Sequence, residues 1–309
     1  MRTFAFMLLV AVAAANVVRA DVFGSGADTF EIEFVTIGDP GNPADTTGAP
    51  NPAGSVPYQY RIGKFEVSEA MVDIANSMSY LRIVHDDRGP NKPVTQISWY
   101  EAARFVNWLN TTNGHPPAYK FVANRGLRFE LWQPGDPGYN PANAVRNSLA
   151  FYFLPSTDEW YKAAYYDPTS GAYYDYATGS DISPTAVASG SAAGTSVYGQ
   201  PHLQGPADIT LAGGLSPYGT MAQGGNAFEW EETEFDLVND MASSVRGTRG
   251  ASWGHSSDFL RSSVRTPFDP GLGASDVGFR VASRIPEPST LLLGLVGFGL
   301  LLRTKRASP

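Results

Sequence analysis

Glycine and proline are the residues that most limit what this chain can fold into. The sequence has 32 glycines and 23 prolines among 309 residues, and they are scattered without a fixed period. Both residues weaken the interior of helices and strands. Their irregular scatter is also unlike the strict periods of collagen and of repeat proteins. The chain is therefore predicted to be a loop-rich globular protein with little helix.

Four segments are expected to be long loops because they consist largely of Gly, Pro, Asp, Asn, Ser and Ala. Loops of this length are uncommon inside a compact domain and often carry function. We therefore expect a binding surface among them. They are residues 39–54, 133–143, 178–195 and 200–214.

The absence of cysteine and the acidic charge exclude several classes of function. The chain contains no cysteine, so it has no disulfide, no thiolate metal site and no thiol nucleophile. Between its two ends, 17 Lys and Arg stand against 29 Asp and Glu, a net charge near −12. Such a surface repels nucleic acid and anionic lipid. The length predicts one domain with a full core.

Residues 1–20 have the pattern of a secretory signal peptide. Arg2 precedes an apolar run at 4–15, and a small-residue cleavage pattern ends at Ala20. Cleavage there would start the mature chain near Asp21. The alternative is an N-terminal membrane anchor, which the shortness of the apolar run disfavours because a spanning helix needs roughly 20 apolar residues.

The C-terminal residues form a second export-related pattern. A Pro-Glu-Pro motif at 286–288 precedes an apolar run at 291–302, and Arg303, Lys305 and Arg306 follow. Prolines end a preceding element, and basic residues favour the cytoplasmic side of a membrane. Over residues 286–306 this series resembles the PEP-CTERM sorting signal. That resemblance implies recognition by an exosortase and transient holding at the membrane; an ordinary single-span anchor is the alternative.

Two helices are predicted from capping boxes, in which a serine and a glutamate three residues later satisfy each other's free backbone N–H groups. Ser98 with Glu101 begins one helix, and Ser156 with Glu159 begins the other. Apolar residues follow each box at helical spacing, so their large aromatic residues are expected in the core. Strands are predicted where β-branched and aromatic residues cluster, and the fold class is therefore α+β. These strands are 29–37, 58–67, 149–154, 244–247 and 277–283.

Six motifs in a fixed order resemble the sulfatase-modifying-factor domain, the fold of the formylglycine-generating enzyme. The resemblance covers residues 28–283 and implies a single loop-rich domain related to the C-type-lectin fold. The motifs are Tyr-Arg-Ile-Gly-Lys-Phe-Glu-Val at 60–67, Pro-Val at 93–94 before Ile-Ser-Trp at 97–99, Leu-Pro-Ser at 154–156 before Glu-Trp at 159–160, Gly-Asn-Ala-Phe-Glu-Trp at 225–230, Arg-Gly at 246–247 before Arg-Gly-Ala-Ser-Trp at 249–253, and Gly-Phe-Arg at 278–280.

The chemistry of that family's oxidases is not expected here. The resemblance implies two copper-binding cysteines shortly after the Arg-Gly-Ala-Ser-Trp motif, and this chain has none. Neither copper nor formylglycine generation is therefore expected. Relatives with a three-histidine iron site are also a poor match, because the four histidines of this chain are widely separated. They are His85, His115, His202 and His255.

Calcium is the one cofactor that the resemblance implies. In the family, the segment matching residues 225–230 binds calcium through backbone carbonyls and a glutamate, which makes Gly225, Ala227 and Glu229 the expected metal ligands. Oxygen ligands and a glycine-rich turn suit a hard cation. The alternative is that Asn226 and Glu229 fix a turn by hydrogen bonds. Asp208 is a further candidate ligand that departs from the family's spacing.

Two groups of charged residues allow more than one interpretation. Five arginines could form a pocket for an anionic group, or they could brace loops, which is the commoner role and the one favoured here. Glutamates 231, 232 and 234 with Asp236 could be a solvated acidic face, a weak cation site or an aid to solubility. The arginines are Arg246, Arg249, Arg261, Arg265 and Arg280.

The sequence leaves two hypotheses for function. The first is an exported, calcium-stiffened and non-catalytic protein of the cell envelope or extracellular matrix, held by its tail and binding a polysaccharide or peptide. The second is a divergent enzyme that works without cysteine, for which His255 is the candidate catalytic residue because it lies where the family's oxidases have their chemistry. No phosphate-binding, dinucleotide-binding or serine-hydrolase motif is present.

Overall fold

The computed structural model describes residues 19–123 and 127–286. Within these residues three α-helices form: α1 (Glu69–Ser77), α2 (Trp99–Thr112) and α3 (Thr157–Tyr165). Ser98 and Ser156 begin α2 and α3 with complete capping boxes, as predicted. Helix α1 was not predicted; Ser68 caps it, and its side chain accepts from the backbone N–H of Met71.

A five-stranded antiparallel sheet joins the first and last described strands of the chain. Its order is β1-β2-β3-β15-β6, so β15, near the end of the chain, lies between β3 and β6. Gly26 forms the turn between β1 and β2 at a φ of +64°, a conformation that two-residue hairpin turns favour. The strands are β1 (Arg19–Ser25), β2 (Asp28–Ile37), β3 (Tyr60–Gly63), β6 (Tyr152–Phe153) and β15 (Ala282–Arg284).

A second sheet of four strands carries most of the charged residues of interest. Its order is β13-β12-β11-β14, with β11 antiparallel to β12 and parallel to β14. These strands are β11 (Phe228–Glu234), β12 (Arg246–Arg249), β13 (Thr266–Phe268) and β14 (Val277–Gly278). Six short strands pair separately: β4 (Lys120–Ala123) with β5 (Leu127–Glu130), β7 (Tyr166–Asp167) with β8 (Ala172–Tyr173), and β9 (Thr185–Ala186) with β10 (Thr195–Ser196).

The core is dominated by aromatic residues from the helices and from β11. Trp99, Trp160 and Trp230 are completely buried, and so are the apolar residues of α2 that follow Ser98 at helical spacing. A buried side chain of this size contributes about 1.5–3 kcal/mol or more through the hydrophobic effect. The α+β class, the loop-rich single domain and the core role of the tryptophans are confirmed.

The two predicted export segments lie almost wholly outside the described residues. Residues 1–18 and 287–309 are not described, while Arg19 and Ala20 already belong to β1, so the predicted cleavage point falls within that strand. Among residues 19–123 and 127–286, no helix has the length and apolar character needed to cross a membrane. The signal and sorting predictions stay predictions.

Candidate functional site

Strand β11 carries four glutamates, and all four side chains are completely buried. Of the alternatives left open for the acidic run, a solvated face is therefore wrong for residues 231, 232 and 234. Buried carboxylates need charge partners, because desolvation of an unpaired charge costs several kcal/mol. On β11 these partners are arginines from other segments. The glutamates are Glu229, Glu231, Glu232 and Glu234.

Glu231 and Glu232, like Glu229, accept hydrogen bonds from guanidinium groups. Arg249 Nε donates to Glu231 at 2.5 Å and Arg265 Nε at 2.7 Å. Arg146 Nε donates to Glu232 at 2.6 Å. Burial alone would raise the pKa of Glu231, but the charges of Arg265 and Arg249 lower it below its usual range. These pairs join β11 to strand β12 and to the segments that carry Arg146 and Arg265.

The bracing role of the arginines is confirmed for four of the five. Arg246, Arg249, Arg265 and Arg280 are nearly or completely buried against glutamates. Arg261 instead pairs with Asp175 at 2.9 Å near the surface. The arginine cluster is thus not a free pocket for an anion. Arg146, a central member of the same network, was missed, because no sequence pattern links it to β11.

The residues expected to bind calcium lie together at the start of β11. Gly225 has a φ of +105°, and a Cβ there would meet the Val197 carbonyl oxygen at 2.4 Å, so the turn requires glycine. Glu229 follows on the strand. Its carboxylate accepts from Arg280 Nε at 2.5 Å and from Trp160 Nε1 at 2.6 Å.

A second buried carboxylate supports the same turn. Glu66 accepts from the backbone N–H of Ala227 at 3.1 Å and from Asn226 Nδ2 at 2.6 Å. Burial, together with the nearby charge of Glu229, raises the pKa of Glu66 well above its usual range. Asn226 adopts a φ of +64°. The hydrogen-bonded turn that was the alternative to a metal site is therefore present around Asn226, with Glu66 as a partner that sequence analysis missed.

The Nδ1 atom of His255 faces Ser252, which is within hydrogen-bond distance, and the more distant Asp276. The Ser252 hydroxyl lies 2.8 Å from Nδ1, and the same hydroxyl donates to Asp276 at 3.1 Å. Asp276 itself lies 3.8 Å from Nδ1. The ring packs edge-on between Phe228 and Phe259, and about a third of the side chain is exposed. Asp276 was missed because it joins the cluster only through space.

This cluster is not arranged as a nucleophile relay. In such a relay the histidine links serine and carboxylate through opposite ring nitrogens. Here Ser252 and Asp276 both face Nδ1, and Ser252 is completely buried. A substrate could reach only the exposed part of the ring, so the geometry leaves His255 at most a role as a single proton donor or acceptor.

The remaining candidates have separate surroundings. Asp208 pairs with Lys92 at 2.9 Å. His85 lies near Asp73, His115 stacks on Phe151, and His202 stacks on Trp253. Among the described parts of the chain, no group of three or more His, Asp and Glu side chains is placed to hold a metal ion.

A cavity of about 380 Å³ opens beside the network of Arg146. Aromatic rings of Tyr58 and Phe153 and amide side chains of Asn140, Asn143 and Asn147 form part of its walls. Its volume is near the lower end of the range for ligand pockets, about 300–1,000 Å³. Two of its wall residues, Asn140 and Asn143, come from one of the four predicted long loops.

Residues 38–285 match the family described as "Sulfatase-modifying factor enzyme 1-like domain". The chain belongs to this family. Two solved structures are similar to this sulfatase-modifying-factor domain in fold. The "Treponema denticola variable protein 1" has 21% identity and a TM-score of 0.58, with 86% of this chain and 99% of that chain covered. The "Crystal Structure of CarF" has 20% identity and a TM-score of 0.56, with 82% and 99% covered. No curated protein matches the chain.

The contacts of Glu229 do not fit the calcium ion that the family resemblance implies. Both carboxylate oxygens already accept from donors, and the guanidinium of Arg280 lies where a cation would be attracted. A calcium ion bound by Glu229 would have to displace this buried pair and would face a like charge. The calcium site stays a prediction, and the proposed function does not depend on it.

Proposed function

We propose that this sulfatase-modifying-factor domain is an exported, non-catalytic ligand-binding protein of the cell envelope or extracellular matrix. The proposal rests on one observation: the chain belongs to this family but contains no cysteine. Without a thiol it can neither hold Cu(I) in thiolates nor exchange with a substrate thiol. A polysaccharide or a peptide is the expected ligand.

The surroundings of His255 support a binding role over a catalytic one. Ser252 is buried, and it lies with Asp276 on the Nδ1 side of the His255 ring. The cluster therefore offers no exposed, activated nucleophile. The four buried glutamates of β11 are also unavailable for catalysis, because each is paired with an arginine. Loops positioned by a folded scaffold are common places for a binding surface.

Export is supported by the two terminal patterns. Residues 1–20 have the parts of a signal peptide, and residues 286–306 resemble the PEP-CTERM signal, with an exosortase as the expected partner. The tail would hold the protein at the membrane at least until it is processed. The acidic charge makes nucleic acid an unsuitable partner.

Export is tested by expressing the chain in hosts with and without an exosortase. We expect N-terminal sequencing to find a chain beginning at Asp21. Intact mass should show loss of the tail only when the exosortase is present. A chain that keeps residues 1–20 and stays inside the cell would contradict export.

Binding is tested by presenting the full-length chain to arrays of glycans and peptides. We expect specific retention of one ligand class, and no conversion of a cysteine-containing sulfatase peptide to formylglycine. Failure to retain any ligand would contradict the binding function. Turnover of the sulfatase peptide would contradict its non-catalytic character.

A divergent enzyme is the second candidate, and the partly exposed ring of His255 favours it. Each ligand found on the arrays should be incubated with the chain and analysed by mass spectrometry. An altered ligand with the unchanged chain, but an intact ligand with His255→Ala, would establish catalysis. Intact ligand in both reactions would leave binding as the function.

A further inference from the structure

The cavity beside Arg146 contains an aromatic ring that is both exposed and fixed. Tyr58 lines this cavity and is 47% exposed. Its hydroxyl donates to Glu159 Oε1 at 2.9 Å, and Glu159 is completely buried. The ring is therefore held at its backbone and at its hydroxyl while it lines the cavity. Such a ring can stack on a flat apolar surface of a ligand at little entropic cost.

Three asparagine side chains in the cavity wall are also held in place by hydrogen bonds. Asn140, Asn143 and Asn147 each use Oδ1 to accept from the backbone N–H two residues further on, at 3.0, 3.2 and 2.9 Å. Each amide is thereby oriented by its own loop. Among the described residues, Nδ2 of Asn140 meets no acceptor, and Asn143 uses one of its two N–H groups on Glu232. Amide donors thus remain for a ligand.

Of the two charged residues that line the cavity, Arg284 is exposed, whereas Arg146 is already paired with buried glutamates. Arg146 donates to Glu232, twice to Glu159 and once to the Leu154 carbonyl, which leaves only one of its five N–H groups. Arg146 therefore cannot bind an anion through two parallel N–H groups. Glu159 and Glu232 are completely buried and already hydrogen-bonded, so a cationic ligand cannot reach them.

The cavity wall is also preorganised, because contacts within the protein hold its side chains in place. The Arg146 guanidinium lies 3.8 Å from the centre of the Phe153 ring, and both groups contribute to the wall. Tyr58 donates to Glu159 and Asn143 donates to Glu232. Arg146 bonds both of these buried carboxylates. Such preorganisation lowers the cost of binding a small ligand.

We propose that this cavity binds a short neutral saccharide, with one sugar ring stacked on Tyr58 and its hydroxyls hydrogen-bonded to the amides of Asn140 and Asn143. A sugar ring has apolar C–H faces for the aromatic ring and neutral hydroxyls for amide donors and acceptors. The cavity volume of about 380 Å³ suits a mono- or disaccharide. This inference rests on the proposed ligand-binding function and adds the place and the chemical class of the ligand.

The test is calorimetric titration of the full-length chain in a detergent that is not itself a glycoside. The probes are short oligosaccharides of glucose, galactose and mannose, with oligosaccharides of uronic acids as the acidic comparison. We expect at least one neutral probe to bind. Tyr58→Ala should weaken binding about tenfold or more, and Asn140→Ala should weaken it less. Tyr80→Ala is the matched control, because Tyr80 is 91% exposed and lies outside this cavity.

A second pair of measurements covers the case in which Tyr58→Ala does not fold. Tyr58→Phe keeps the ring and removes only its bond to Glu159, so it should retain most of the affinity. Asn140→Ala leaves the network of Arg146 intact and should still weaken binding. Unchanged affinity in both Asn140→Ala and every folded Tyr58 variant would overturn the assignment to this cavity.

The remaining outcomes separate this inference from the proposed function. Neutral saccharides that bind the chain and Tyr58→Ala equally would move the site elsewhere while the binding function stands. Binding of uronic acids alone, lost in Arg284→Gln at the cavity wall, would overturn the neutral class. Binding of a peptide but of no saccharide would overturn the ligand class only. Absence of any ligand would overturn both proposals.

Discussion

At Glu231 two guanidinium groups share one buried carboxylate, and Thr157 adds a third bond at 2.8 Å. Glu231→Gln would leave Arg249 and Arg265 buried without a counter-charge. Loss of one partner from a buried pair typically costs about 3–5 kcal/mol. We expect the free energy of unfolding in urea to fall by about this amount.

The matched control for Glu231→Gln is Glu130→Gln. Glu130 pairs with Arg128, but both side chains are substantially exposed. An exposed pair contributes about 0–1 kcal/mol. Equal losses in the two variants would show that burial on β11 does not determine the strength of these pairs.

Glu229 leads to a prediction about calcium at the same scale. Because Arg280 and Trp160 already bond its carboxylate, we expect calcium and a chelator to give the same melting temperature. The measurement is a thermal melt of the full-length chain under both conditions, with calorimetry for the binding heat. A binding heat together with a lower melting temperature after chelation would restore Gly225, Ala227 and Glu229 as ligands.

At the scale of elements, two identical capping boxes are predicted to differ in strength. Glu101 bonds the backbone N–H of Ser98 at 2.9 Å and has only a distant arginine partner. Glu159 makes the same cap and also holds Arg146 and Tyr58. Burial alone would raise the pKa of Glu159, but the charge of Arg146 lowers it. The sequence does not distinguish these roles.

Glutamine can keep a capping box but cannot balance a buried arginine. We therefore expect Glu101→Gln to cost under about 1 kcal/mol and Glu159→Gln to cost about 3–5 kcal/mol. Urea unfolding monitored by circular dichroism measures both. A similar small cost for each variant would mean that Arg146 finds another partner.

The predicted elements were those whose signals are local. The boxes at Ser98 and Ser156 and the β-rich run of β2 lie within one element, so the sequence alone reveals them. Strands of two residues, such as β8 and β9, are too short to show a period, and their pairing depends on other segments. Strand β1 was missed because residues 19–20 were assigned to the end of a signal peptide.

Less of the site than of the fold could be predicted, because most contacts in the site join residues that are distant in the sequence. His255 and the turn at residues 225–229 were found from motifs. Arg146, Glu66 and Asp276 join those residues only after folding, over separations along the chain that no spacing rule covers. None of the alternatives for the acidic run of β11 included buried ion pairs, because its arginine partners lie in other segments.

At the scale of the whole molecule, buried tyrosines determine the response to alkaline pH. Tyr60 and Tyr119 are completely buried, and burial raises the pKa of each hydroxyl well above its usual value of about 10. Above pH 10 the unfolded chain loses these protons while the folded chain keeps them. Folding stability therefore falls as pH rises, by about 1.4 kcal/mol per pH unit for each such tyrosine.

Lys162 acts in the opposite direction over a lower range of pH. Its ammonium donates to the carbonyls of Gly38 and Asp39 at 2.7 Å each, and burial lowers its pKa from 10.5 to about 8. Between these values the unfolded chain binds more protons, so the contribution of Lys162 to stability rises with pH. We expect the free energy of unfolding to rise slightly between pH 8 and 10 and then to fall steeply. Urea unfolding across this range measures the free energy at each pH. Lys162→Met should remove the rise and keep the fall. A fall that begins near pH 8 in the unchanged chain would contradict the lowered pKa of Lys162.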